Sequence, residues 1–429
     1  METIIFPERE RWETISKRPG IDKSDLEDTV KDIIGRIRTE GDNAVWLFSE
    51  KYDGVPQGSL KVSSAEILES VEQIPEDLKI AINIAKTNIE NFHAAQLLKE
   101  PVIETSRGVK CWRKSVAIEK VGLYIPGGSA PLFSTVLMLG IPAKLAGCKE
   151  INICTPPGRD GKINPLILYA ALLIGVTQIF KAGGAQAIAA MAYGSESIPK
   201  VFKIFGPGNQ YVTKAKELIQ QDGIAIDLPA GPSEVLVIAD GTANPEFIAA
   251  DLLSQAEHGA DSQVIMLTDN KELIDKVKTE VDKQLKSLSR RNIATKSLEN
   301  SKLILLYSLG ECIDFSNLYA PEHLIINTLN PKELADKVIN AGSVFLGNFS
   351  CESAGDYATG TNHTLPTNGF ARNYSGVSTE SFLKKISFQE VTEEGIKNLG
   401  PAIELLAEAE LLNGHKNAVS VRLKNLQNV

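Results

Sequence analysis

No Cys-x-x-Cys pair, no long apolar run and no block of like charge occurs in this sequence of 429 residues. Each absence narrows what the chain can do. The five cysteines, Cys111, Cys148, Cys154, Cys312 and Cys351, leave one unpaired in any disulfide scheme, which points to a reduced, cytoplasmic setting. Cys148 and Cys154 flank an expected strand and read as small core residues. The longest apolar stretch, Leu166 to Val176, is broken by Tyr169 and Gly175 and falls short of the ~20 residues that a bilayer span needs. The amino terminus, with Pro7-Glu8-Arg9-Glu10-Arg11, lacks the basic and apolar regions of a signal peptide. A net charge of −9, spread without single-sign blocks, offers no footprint for nucleic acid or an anionic membrane. Neither G-x-G-x-x-G nor G-x-x-x-x-G-K-[ST] appears, so any dinucleotide must rest on atypical loops. Histidine is scarce too: there are five, and His258, His323, His363 and His415 all fall in the last two-fifths.

What is present reads as α/β. The length allows two or more domains around a large core. Residues Ser24 to Phe92 are helical in pattern, with Leu26, Val30, Ile33, Ile34 and Ile37 near a helical period and a second helix from Pro75 through Ile89. His93, at its end, reads as structural or surface. Gly108–Trp112 and Val116–Ile118 alternate as short strands of a hairpin or edge ribbon. An apolar strand from Val121 to Ile125 then runs into Pro126-Gly127-Gly128-Ser129 and a helix near Pro131. That turn is either an approach for a phosphate or an ordinary tight turn.

From there strands and helices alternate: strands Ile151–Cys154, Gln178–Lys181, Lys200–Phe205 and Glu234–Ile238, helices Pro165–Ile174, Gln186–Tyr193 and Gln210–Gln220. Such alternation argues for parallel sheet built from βαβ crossovers. The loops Ala182–Gln186 and Phe205–Asn209 then lie at carboxyl ends of strands, where ligands collect. A second series follows, with strands Gln263–Leu267, Lys302–Leu306, Leu324–Ile326 and Ser343–Leu346. The stretch from Ser387 onward reads as helical and polar.

Three places carry chemistry. Ser254-Gln255-Ala256-Glu257-His258-Gly259 closes an apolar helix, and Gln255 and His258, three apart, fall on one helical face with Gly259 as the stop. Ala320-Pro321-Glu322-His323 puts a carboxylate and an imidazole just before a strand, suited to successive proton transfers. Gly355–His363 adds Asp356 and His363 in a glycine- and hydroxyl-rich loop, and His415 stands near the carboxyl end. Two histidines, an aspartate and an amide oxygen would suit zinc better than calcium or magnesium. The residues alone argue for a metal enzyme with a His/Glu acid–base pair.

Val121–Gly128, Gly206-Pro207-Gly208-Asn209, Ala230-Gly231-Pro232-Ser233-Glu234, Gln255–Gly259, Ala320–His323 and Gly355–Pro366, in that order, resemble the histidinol dehydrogenase family from about Ile33 to Leu423. The resemblance implies an aldehyde-dehydrogenase-like α/β fold, with two incomplete Rossmann-type parallel-sheet domains and small helical terminal pieces. It implies boundaries of 1–22 for an amino-terminal piece, 23–122 with 240–380 for one domain, 123–239 for an NAD-binding domain and 381–429 for an exchanged helical arm. By the same resemblance, Gln255, His258, Asp356 and His415 hold one Zn2+ per subunit. Glu322 and His323 are the acid–base pair, and Tyr124, Gln186 and Asn209 touch NAD. L-histidinol meets Ser233, Gln255, His258, His323, Asp356, His363, Glu410 and His415, with Glu410 and His415 lent across a homodimer. Cys351 stands where the family often has proline, and Gly414 where alanine is usual. A zinc hydrolase, a metal-stabilised structural protein and a zinc- and NAD-dependent dehydrogenase of another small alcohol are the rival readings. The strand-end glycine loops weigh against the hydrolase, turnover would exclude the structural protein, and Glu410 with His363 weighs against another alcohol.

Overall fold

Strands of a parallel sheet are covered on both faces, so they must be apolar throughout, and this chain supplies two sets of them. The computed structural model describes residues 1–19, 26–55, 57–127, 131–176, 178–229 and 231–427. Gly128 and Ser129 of the glycine turn, Ser24 at the start of the helical pattern and Ala230 lie outside the described residues. Contacts divide the chain into two units, one of Met1–Gln96 with Ile118–Ser381, the other of Leu97–Ala117 with Phe382–Val429. In chain order the strands are β1 (Glu2–Ile5), β2 (Ile103–Ser106), β3 (Val109–Ala117), β4 (Lys120–Tyr124), β5 (Glu150–Thr155), β6 (Gln178–Lys181) and β7 (Lys203–Phe205). There follow β8 (Ala225–Ile226), β9 (Glu234–Ala239), β10 (Gln263–Thr268), β11 (Lys302–Leu305), β12 (His323–Asn327), β13 (Ser343–Leu346) and β14 (Leu383–Val391).

The first unit holds two parallel sheets. One has the order β6-β5-β4-β7-β8, which counted along the chain is 3-2-1-4-5, the order of a doubly wound nucleotide-binding sheet. The order reverses between β4 and β7, and a crevice opens outside their carboxyl ends. Helix Leu26–Glu40 packs against helices Gly184–Tyr193 and Gln210–Gln220, where Val30, Ile33 and Ile37 join Ile188, Ala215 and Ile219 in one core. Helix Phe133–Ala146 is buried from Ser134 to Ala143, as a helix apolar on all sides must be. The other sheet, β1-β11-β10-β9-β12-β13, repeats the same order from β9 and adds β1 at its edge. All residues of β9, β10 and β12 are buried.

Several elements depart from the sequence reading. β9 sits at the centre of the six-stranded sheet, paired with β10 and β12, rather than with the strands of residues 123–239. Between β11 and β12, where strand was expected to follow strand, helix Leu309–Tyr319 forms the crossover that two parallel strands of one sheet require. The amino-terminal piece holds the expected helix, Trp12–Ile15, but opens on β1, paired with β11 some 300 residues away. Gly108–Trp112 and Val116–Ile118 merge into the one strand β3.

In the second unit β14, which takes in Ser387–Val391 of the stretch read as helical, pairs antiparallel with β3. The stacked rings of Trp112 and Phe388 face each other across that pair. Helices Glu393–Ala409 and Asn413–Gln427 complete this unit and pack on each other. Among the described residues no helix is long and apolar enough to cross a membrane.

Candidate active site

Two cavities open in the first unit, each where strand ends leave backbone and polar side chains uncovered. A cavity of about 1110 Å³ lies at the order reversal of the five-stranded sheet, with Tyr124, Gln186 and Asn209 in its wall. The buried Tyr124 hydroxyl accepts the Gly184 N–H at 3.1 Å, and the Gln186 amide donates to Asp53 at 3.4 Å. Burial pushes the Tyr124 phenol up to about 12, so it stays a neutral hydroxyl. Asn209 caps helix Gln210–Gln220, accepting the N–H groups of Tyr211 at 3.0 Å and Val212 at 3.1 Å. The turn before it is pinned from both sides. Asp227 accepts the Gly206 N–H at 2.7 Å, Lys216 donates to the Gly206 carbonyl at 3.0 Å, and the two charged groups pair with each other. A Cβ on Gly206, whose φ is 129°, would meet the Tyr124 carbonyl oxygen at 2.1 Å, so only glycine fits there.

The second cavity, about 1060 Å³, is lined by Ser233, Gln255, His258, Glu322, His323, Asp356 and His363. Pro126 and Asn209 line both cavities. The rule that ligands gather at carboxyl strand ends therefore holds for the five-stranded sheet alone. In the six-stranded sheet the reactive groups sit at the amino ends of β9 and β12.

Local structure explains each placement. Helix Pro245–Ala256 carries Gln255 in its last turn, but Glu257 is the cap, so the helix stops before His258. Gln255 and His258 thus do not share a helical face. His258 follows in a tight turn, its N–H donating to the Gln255 carbonyl at 3.2 Å, and that turn brings it to the same cavity. Asp356 is on the short helix Glu352–Tyr357. His363 is fixed at both ring nitrogens, with Nδ1 3.0 Å from the Asp356 carbonyl and Nε2 3.2 Å from the Thr135 hydroxyl. His93 is structural: it is buried, 3.2 Å from Gln96.

Glu322 and His323 are both buried. The Glu234 N–H donates to Glu322 at 2.9 Å, and His323 Nδ1 donates to the Glu234 carbonyl at 3.2 Å. A carbonyl can only accept, so the proton sits on Nδ1. Among the described residues Nε2 has no hydrogen-bond partner, and it faces Asp356 at 3.6 Å. Burial pushes the Glu322 carboxyl up to about 8. Burial alone would lower the His323 imidazole, but the carboxylates of Glu322, Glu352 and Asp356 outweigh it and push it up to about 10. Desolvation lowers His258 and His363, even though His258 keeps an edge in solvent.

Behind this wall stands a group that the sequence reading passed over. Glu352 is buried, and its desolvated carboxyl lies well above the usual range. Its ligand atoms and those of His258 and Asp356 all fall within 4.8 Å of one another. The Gln255 amide oxygen faces the Glu352 carboxylate, acceptor against acceptor, as two ligands of one cation would. The spacing of Glu352 and Asp356, one helical turn apart, was the available clue. Two carboxylates packed this closely repel unless one is protonated or a cation lies between them, and with the imidazole they make an N/O donor set that fits a borderline ion such as Zn2+. Such a cation would also take over from an imidazolium at His323 the balancing of the carboxylates. All residues lining this cavity belong to the first unit. Glu410 and His415 belong to the second, where both are exposed.

Comparison with known proteins agrees with this geometry. The family model described as histidinol dehydrogenase matches residues 16–423. A histidinol dehydrogenase of Bacteroides thetaiotaomicron is 59% identical over 427 residues, covering 100% of both chains. One from Aliivibrio fischeri is 51% identical over 431 residues, covering 99% of this chain and 97% of its own. The crystal structure of histidinol dehydrogenase from Elizabethkingia anophelis superposes with a TM-score of 0.97 at 58% identity, covering 100% of this chain and 99% of that one. On a match of this extent, the chain belongs to the histidinol dehydrogenase family.

Proposed function

We propose that this chain oxidises L-histidinol to L-histidine through L-histidinaldehyde, the last steps of histidine biosynthesis, in two NAD-linked oxidations. The observation that carries the reading is His323: its Nδ1 proton is held by the Glu234 carbonyl, so in the neutral ring Nε2 is the acceptor in the cavity wall. That is the tautomer a general base needs. When bound, Zn2+ would fix the substrate's amine and imidazole and the nicotinamide would take up hydride. Gln255, His258 and Asp356 would hold the ion, joined by His415 of a second copy. Tyr124, Gln186 and Asn209 would line the path of NAD to the shared wall at Pro126 and Asn209.

The proton steps fall to the chain itself. His323 Nε2 takes the alcohol proton as the carbinol loses hydride. Glu322, oriented by the Glu234 N–H, draws a proton from water as that water adds to the aldehyde. His323 then removes the proton of the hydrated aldehyde for the second oxidation. Ser233, His363 and Glu410 orient the substrate. Exposed Leu405, Leu406 and Leu411 on the second unit support a homodimer in which each copy lends Glu410 and His415 to the other. The free state of all five cysteines supports a cytoplasmic setting.

The test is NADH formation followed spectrophotometrically with L-histidinol, with an aliphatic amino alcohol lacking the imidazole, and after chelation. L-histidinol should be turned over far faster than the aliphatic alcohol, and chelation should abolish activity until zinc is returned. Equal rates on both alcohols, or full activity in verified metal-free protein, would overturn it.

A further inference from the structure

We infer that Arg18, at the end of the amino-terminal segment, is a positioning residue for the acid–base pair. The inference rests on reading Glu322 and His323 as that pair. Both take their orientation from one residue, Glu234, whose N–H holds the Glu322 carboxylate and whose carbonyl holds the His323 ring. The β ladder holds the Glu234 backbone, and Arg18 holds its side chain. Its guanidinium makes a two-pronged bond to the Glu234 carboxylate, from Nε at 2.7 Å and from Nη2 at 2.6 Å. The Asn368 N–H donates to the same carboxylate.

Nη2 of Arg18 also donates to the Tyr319 carbonyl at 2.9 Å, and the guanidinium stacks over the Tyr319 ring at 3.9 Å. Tyr319 ends the helix that leads into Ala320-Pro321-Glu322-His323. Ala320 has a φ of 55°, a left-handed conformation that alanine adopts only when its surroundings impose it. Arg18 therefore ties together the two backbones that carry the catalytic groups: the start of β9 and the strained turn into β12. The Tyr319 hydroxyl, donating to Gln263 at 2.9 Å, anchors the platform on β10. Arg18 borders the cavity, and through Nε and Nη2, both engaged by the protein, its guanidinium braces the wall. A planar fork gripping a carboxylate and stacked on an aromatic ring is a geometry that lysine cannot reproduce.

A brace acts on the rate of chemistry rather than on binding. Misplacing reacting groups by about 1 Å costs roughly 10²-fold, so Arg18→Ala should lower kcat about 10–100-fold. KM for L-histidinol and NAD should stay within about threefold, because neither Zn2+ ligands nor cofactor contacts are touched. Arg18→Lys should fall between Arg18→Ala and the unaltered enzyme. Glu234→Gln, which keeps the backbone bonds and the side-chain shape but not the charge, should lower kcat in the same way if Arg18→Ala does not fold. The experiment measures kcat per zinc-loaded subunit in the full-length protein, with zinc content and thermal unfolding recorded for each variant. A kcat within threefold of the unaltered enzyme in both Arg18→Ala and Glu234→Gln would overturn the inference. So would a loss explained wholly by zinc content or by KM. His323→Asn and Glu322→Gln run alongside. If they too keep full kcat, the reading of the acid–base pair has failed; if they lose it while the Arg18 variants do not, only the brace has.

Discussion

Glu322 and His323 are consecutive in sequence, yet one residue, Glu234, holds them by different backbone groups. Its N–H steadies a carboxylate that burial keeps partly protonated, and its carbonyl fixes the imidazole tautomer. If water activation is the task of Glu322, Glu322→Gln should slow the conversion of supplied L-histidinaldehyde by roughly 10²-fold or more, the usual worth of a general base. The alcohol-to-aldehyde step should fall far less. His323→Asn should slow both, since each oxidation removes a proton. Pre-steady-state NADH formation from each substrate separates the two steps, and equal damage by Glu322→Gln would contradict the division. At this scale the sequence was informative where histidines are rare and carry polar neighbours, as at His258 and His323. For Glu352 it offered only the one-turn spacing from Asp356, and on Arg18 it was silent. The contact of Arg18 with Glu234 spans 216 residues, and nothing local to either position announces it.

Between residue and molecule, the turn from β7 into helix Gln210–Gln220 shows how an element is held for function. The chain approaches the Tyr124 backbone so closely that glycine is required at 206, and the buried Lys216–Asp227 pair locks the turn from beneath. Lys216→Met removes one partner and leaves a carboxylate buried without its counter-charge. Breaking such pairs costs about 3–5 kcal/mol, so urea unfolding should show a loss of that order. Lys216→Met combined with Asp227→Leu should recover a substantial part of it. A loss under about 1 kcal/mol in the single variant would mean that the pair does not hold the turn. Helix Pro165–Ile174 and helix Gln210–Gln220 were legible to the residue, because apolar periodicity and Asn caps are local. Helix Leu309–Tyr319 was not, since its mixed pattern Leu-Gly-Glu-Cys-Ile-Asp is weak and only the parallel pairing of its flanking strands demands it. Likewise Ile386 and Phe388 gave too short an alternation to mark β14 without its partner β3.

For the whole molecule, strand order is the property that no local pattern encodes. The two sheets share the order 3-2-1-4-5, and this puts the carboxyl-end loops of one against the amino-end residues of the other in a common wall. The proposed completion of the site by a second copy belongs to this scale. His258→Ala and His415→Ala should each inactivate the homodimer. Mixed by co-expression, they should restore roughly a quarter of the activity under random pairing, because one site of each heterodimer then carries both lesions and the other carries none. No recovery in a mixture shown to contain heterodimer would place both ligands on one chain.

The central claim is that one cavity carries L-histidinol through both oxidations, and the product balance tests it most directly. NADH is counted by absorbance against L-histidinol consumed, with the organic product identified by mass spectrometry at several times during turnover. The account predicts two NADH and one L-histidine for each L-histidinol lost, without free aldehyde at any stage. One NADH for each L-histidinol, with L-histidinaldehyde accumulating in solution, would contradict it.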